Sequence, residues 1–129
     1  DAEREISVDL TALLTALREV LRSAPPSGTA HELFVEPVTV RERMIAVMNR
    51  LSGEENVEFV ALLRDPVTGE TTRATIVATF LAILELARLG VLGLYQGRDE
   101  RDAPTGPIHV RRRGEGLAAD WTERISEYM

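Results

Sequence analysis

The stretch Thr72-Arg-Ala-Thr-Ile-Val-Ala-Thr-Phe-Leu-Ala-Ile-Leu-Glu-Leu-Ala-Arg-Leu-Gly-Val-Leu-Gly-Leu-Tyr-Gln96 decides how the chain is read. From about Thr72 to Leu89 its apolar residues recur at helical spacing, and Gly90 falls where a left-handed C-cap is wanted. Val91 to Gln96 then reads as a strand. A second strand-like piece, Ile108 to Arg112, lies beyond a polar stretch rich in charge, Gly and Pro, so the two are predicted to form a hairpin.

Working upstream, Thr39-Val-Arg-Glu42 is a capping box, in which the Thr hydroxyl and the Glu carboxylate satisfy free amides of a first helical turn. Val40, Met44, Val47, Met48 and Leu51 share one face of the helix that starts there, and Ser52-Gly53 breaks the pattern. Val57-Glu-Phe59 is short and β-prone. Val60 to Arg64 reads as a brief helix ended by Asp65-Pro66 and the turn Thr68-Gly69. The order helix, short strand, helix, helix, hairpin is that of a winged helix-turn-helix, with the hairpin as the wing. The expected fold class is therefore mainly α with a small β-hairpin.

Two flanking segments complete the organisation. Leu10, Leu13, Leu14, Leu17, Val20 and Leu21 form one stripe of a helix that Ser7 or Asp9 can cap, and Ser23 to Thr29 carries the Pro and Gly of a linker. That stripe is buried either on the chain's own core, the more usual fate, or on another subunit. At the other end Leu117, Trp121, Ile125 and Tyr128 stand at helical spacing, as in a closing helix over the core. The division is thus residues 1–37 as helical arm and linker, 38–113 as winged-helix domain and 114–129 as C-terminal helix.

Composition sets outer bounds. The 129 residues suit one domain of modest core, with 44% hydrophobic and 28% charged residues and no apolar run near the roughly 18 to 20 residues of a membrane span. The absence of Cys, and a start lacking the basic and apolar parts of a signal peptide, point to the cytoplasm. The first residue is Asp1, as expected of a fragment. All fifteen basic residues are Arg, to which no function is attached. A net charge of −6 argues against general attraction to nucleic acid, although a local basic patch can still bind phosphate.

Most winged helices read DNA with the last helix, which here spans residues 72 to 89. Helical geometry assigns Ile76, Val77, Phe80, Ile83, Leu84 and Ala87 to the buried face and Thr75, Ala78, Thr79, Ala82, Leu86 and Leu89 to the outside. Base edges are read by polar side chains, and this outward face is small and apolar, with Arg73 and Arg88 only near the ends and Glu85 repelling phosphate. Such a helix is covered on both sides, by this chain or by another protein.

The run Thr79 to Gln96 resembles the signature of the C-terminal domain in the segregation and condensation protein A family, the bacterial kleisins. In that family a wing returns as Gly-x-Ile-x-Val, here Gly106-Pro-Ile-His-Val110. Val57-Glu-Phe59, Val38-Thr-Val40 and the helix at Asp9 to Leu17 also stand where the family has similar segments, so the resemblance covers most of residues 8 to 112. The family's N-terminal domain, which contacts the Smc neck, has no counterpart here, and the region from Arg113 to Met129 runs past the family pattern. The resemblance implies a kleisin of the bacterial Smc condensin complex, cytoplasmic and nucleoid-associated. Its winged helix would dock on the Smc ATPase head, while segregation and condensation protein B is bound mainly by residues upstream of this chain. DNA would be met only through the complex, and no membrane or cofactor is involved.

On that reading the outward apolar groups available to the Smc head are Ile45, Ala78, Ala82, Leu86, Leu89, Leu94 and Tyr95, with Leu92 beside them. Because strand neighbours alternate, half of the hairpin positions must face the core. A wing edge adding to a partner's sheet would need no particular side chains. Arg98, Arg111 and Arg113 form a candidate basic patch, which is a solvated face, a contact to an acidic Smc surface or a contact to DNA phosphate. The last of these defines the alternative function, a DNA-binding winged-helix transcriptional regulator.

An enzyme is not expected. His31 lies in the linker and His109 in a strand, with no Cys and no Gly-rich phosphate loop. The carboxylates Glu54, Glu55 and Glu58, and Asp99, Glu100 and Asp102, lack metal-binding spacing and read as solvated loop charge.

Overall fold

A computed structural model describes residues 8–24, 39–64 and 72–113, together with Ile125. In chain order the elements are α1 (Leu10–Arg22), α2 (Val40–Gly53), β1 (Asn56–Glu58), α3 (Phe59–Leu63), α4 (Arg73–Arg88), β2 (Leu92–Arg98) and β3 (Pro104–Arg112). This is a mainly α chain with a small antiparallel sheet, compatible with the winged-helix class. The sheet has three strands in the order β1-β3-β2, one more than a simple hairpin, because the short strand before α3 joins β3 with Val57 opposite Val110.

The three longer helices begin where a side chain caps the first turn, whereas α3 has no side-chain cap. Asp9 caps α1, its Oδ1 accepting from the Ala12 amide at 2.9 Å. Thr39 and Glu42 close the capping box on α2, with the Glu42 amide donating to Thr39 Oγ1 at 3.0 Å and the Thr39 amide to Glu42 Oε1 at 3.2 Å. Thr72 caps α4, accepting from the Thr75 amide at 3.2 Å. The exit of α4 is a Schellman turn: Val91 donates to the Leu86 carbonyl at 3.1 Å and Gly90 to Ala87 at 3.0 Å, with Gly90 at φ +82°. Leu86 and Val91, both fully buried, supply the apolar contact that accompanies such a turn.

The core is one cluster to which every element contributes. Met44, Val47, Met48 and Leu51 enter from α2, Phe59, Leu62 and Leu63 from α3, and Ile76, Phe80, Ala82, Ile83, Leu86 and Ala87 from α4. Val57, Leu92, Leu94, Ile108 and Val110 close it from the sheet. Phe59 and Phe80 meet edge to face with ring centroids 6.1 Å apart, tying the short α3 to the middle of α4.

The stripe on α1 divides. Leu13 and Val20 are buried against α3 and α4, Leu17 and Leu21 are half-buried on the same core, and Leu10 and Leu14 stay exposed. Ile125 also belongs to the core cluster. The rest of the predicted tail helix, including Leu117, Trp121 and Tyr128, lies outside the described residues, as do Ser7, His31, most of the linker and the turn around Pro66.

Replacing Gly90 by alanine places a Cβ in left-handed backbone and is expected to cost about 1–2 kcal/mol; urea unfolding of Gly90→Ala against the parent chain measures this.

Candidate docking surface

Helix α4 sits deeper than its sequence pattern indicates. Of the residues assigned outward, Thr75, Ala78, Thr79, Ala82 and Leu86 are all buried, and only Leu89 is half-exposed. The reason is α2, which packs along this side and sends the Nε of Arg43 to Thr79 Oγ1 at 2.7 Å, while α1, α3 and β2 contact α4 elsewhere. Conversely Val77, assigned inward, is 39% exposed, and Leu84 is half-buried. The solvent face of α4 is a narrow strip of Ala74, Val77 and Leu81, the last 45% exposed, edged by Leu84 and bounded by Arg73 and Arg88.

The docking candidates named from sequence are therefore scattered. Ala78, Ala82 and Leu86 are core residues of this chain, and so is Leu94, which lies on the inner side of the sheet opposite Val110. Leu92 is buried with it. Ile45, 38% exposed, remains on the surface of α2, and Leu89 and Tyr95 are half-buried at the end of α4 and on the sheet. The sequence pattern does not mark Val77 and Leu81, because apolar residues on nearly every side of α4 hide which of them are left uncovered.

The outer side of the sheet carries the polar residues. Strand alternation puts Asn56 and Glu58, Gly93 and Tyr95, and His109 and Arg111 there, with Glu58 and Tyr95 flanking His109 and Asn56 and Gly93 flanking Arg111. The Arg111 guanidinium lies over the Tyr95 ring, 4.7 Å from its centroid. That ring folds back across Gly93, where a Cβ would stand 2.5 Å from the tyrosine oxygen. Nδ1 of His109 is buried with no hydrogen-bond partner among the described residues.

The three candidate arginines do not form one patch. Arg98 pairs with Pro104 near the wing tip, whereas Arg111 pairs with Gly93, five positions away along β2 or roughly 17 Å. Arg98 donates to the Asp102 carbonyl at 3.0 Å and stands 3.9 Å from its carboxylate. Asp99 organises the tip, its Oδ1 accepting from the Arg101 and Ala103 amides at 2.9 Å each. Arg113 follows β3, its amide bonded to the Val91 carbonyl at 3.1 Å. Among the described residues no group of three His, Cys, Asp or Glu is placed to hold a metal ion, and no helix is long and apolar enough to cross a membrane.

A capped helix pair, a long central helix and a three-stranded wing define a winged-helix protein whose last helix shows solvent an apolar strip. Comparison with known proteins places this chain more closely. It is 34% identical to segregation and condensation protein A of Coxiella burnetii over 84% of its length, and 35% identical to that of Xylella fastidiosa over 81%. A third relative of the same name, from Myxococcus xanthus, is 34% identical over 81%. Over most of its own length the chain is thus similar to segregation and condensation protein A, and it spans about a third of the length of these relatives, 37%, 31% and 34% respectively. No family model and no solved structure matches it.

The revised faces are checked by a pair of substitutions. Leu86→Glu buries a carboxylate in the core and is expected to cost about 3 kcal/mol or more, whereas Leu81→Glu, on the solvent strip, stays within about 0.5 kcal/mol of the parent. Thermal melts followed by circular dichroism separate the two. On the sheet, Gly93→Ala pushes the Tyr95 ring off its seat and breaks the Arg111 contact, a loss of about 0.5–1 kcal/mol. In the Arg111→Ala background the same substitution then costs less, and a double-mutant cycle in urea reads the difference.

Proposed function

We propose that the chain is the head-docking part of a kleisin: its winged helix binds the ATPase head of an Smc protein, in a condensin complex that supports chromosome condensation and segregation. The observation that carries this reading is the solvent strip of α4. A DNA-reading helix presents polar side chains at the positions that here hold Ala74, Val77, Leu81 and Leu84. Uncovered aliphatic residues on a central, rigid helix suit the dry middle of a protein interface instead. The likeness to relatives named for segregation and condensation supports a chromosome-organising assembly as the setting of such an interface.

Ile45, Leu89 and Tyr95 lie at least partly on the surface and are available to the same partner. Segregation and condensation protein B would be engaged mainly by residues upstream of this chain. The complex would work at the nucleoid, with DNA met only through it. The alternative of a DNA-binding regulator draws less support, because Arg88 is tied to Glu85 and Arg98 to Asp102, leaving phosphate to compete with carboxylates already in place.

The test is calorimetric titration of the chain into the purified Smc ATPase head of the same organism, with a DNA duplex as parallel ligand. Saturable binding to the head and none to the duplex is the expected result, and the Val77→Glu/Leu81→Glu double variant should weaken it by at least tenfold, about 1.4 kcal/mol. Salt-sensitive duplex binding without head binding would reverse the assignment in favour of the regulator.

A further inference from the structure

Helix α4 raises a problem of specification. Its buried arc contains Ile76, Phe80, Ile83, Leu86 and Ala87, and its exposed strip contains Ala74, Val77 and Leu81. Turning such a helix by one residue, about 100°, in the sense that withdraws Val77 and Leu81 from solvent brings out the small residues Ala78 and Ala82 in their place, so apolar area by itself does not favour the observed azimuth. Nor does shape settle the matter on the α2 side, where Thr75, Ala78, Thr79 and Ala82 offer no large ridge to seat in a groove.

A polar chain does distinguish the azimuths. Arg43, 3% exposed, donates from Nε to Thr79 Oγ1 at 2.7 Å. The Thr79 hydroxyl in turn donates to the Thr75 carbonyl at 2.8 Å. The Thr75 hydroxyl stands 3.1 Å from that of Thr72, the N-cap of α4. Thr79 lies about half a turn from the Val77–Leu81 strip. Any other azimuth carries Thr79 away from Arg43 and withdraws from a buried guanidinium Nε–H the acceptor it has here, which the interior penalises far more than a swap of aliphatic groups.

We propose that Arg43 is the positioning residue of the docking surface: through Thr79 it selects the one rotation of α4 that turns Val77 and Leu81 to solvent. Buried polar groups that set register at a cost in stability act in this way in helical assemblies. The consequence for binding rests on the docking reading above; the selection of azimuth does not.

The experiment replaces both partners, Arg43→Met with Thr79→Val, so that no donor is left orphaned. The variant is expected to unfold cooperatively, yet to show broadened or doubled amide resonances along residues 73–88 in ¹H–¹⁵N spectra, and to bind the Smc head about tenfold more weakly. A single sharp native-like set of α4 resonances with parental head affinity would overturn the proposal. If the double variant does not fold, Thr79→Ser and Thr79→Ala decide: the serine must keep the parental α4 spectrum and the alanine must lose it, and equal behaviour of the two overturns the proposal. Should the parent chain itself not bind the head, the docking reading fails while the spectra still test the azimuth.

Discussion

The fold depends on the burial of α4. Arg73–Arg88 is apolar on nearly every side, so it is stable in water only when other elements enclose it, and the rest of the chain supplies the enclosure. Helix α2 covers the face of small residues, α3 brings Phe59 against Phe80, and α1 adds Leu13 and Val20. The sheet closes the bottom of the core with Leu92, Leu94, Ile108 and Val110. The Schellman turn at Gly90 converts the end of α4 directly into the strand that completes this layer, so the left-handed glycine links helix burial to sheet formation.

Enclosing a nearly all-apolar helix leaves an uncovered remainder, and that remainder is the surface we propose for meeting another protein. The strip of Ala74, Val77 and Leu81 is narrow and bounded by Arg73 and by Arg88, which is held by Glu85. A few aliphatic groups on a well-ordered helix lose little conformational entropy when covered, which is what makes a small surface useful at an interface. The wing differs in kind: its outer side is polar, Tyr95 is folded over Gly93 under Arg111, and the tip is held by Asp99. Aromatic and guanidinium groups so occupied are poorly placed to stack on bases or to grip a phosphate backbone.

The comparison with segregation and condensation proteins A agrees with the sequence signature carried by Thr79 to Gln96 and by the returning Gly106 to Val110. Those residues are structural in this fold: Thr79 receives Arg43, Phe80 meets Phe59, Gly90 turns the chain and Val110 pairs with Val57 and Leu94. Much of the signature therefore marks how the central helix is packed and how it passes into the wing, while the residues left to solvent, Val77 and Leu81 among them, fall partly outside it.

The linear chain by itself determined the kind and order of the elements. Capping chemistry at Asp9 and Thr39, the glycine after α4 and the alternation in β2 and β3 act between residues a few positions apart, and each was legible from its neighbours. Tertiary structure alone decided which way α4 faces. Ala78, Ala82 and Leu86 went inside and Val77 and Leu81 outside because α2 docks on Thr79, thirty-six residues away from Arg43, a contact that periodicity cannot express. Hydrophobic pattern reports an azimuth only when a helix has a polar side to contrast with its apolar one, and α4, enclosed on most of its circumference, has almost none.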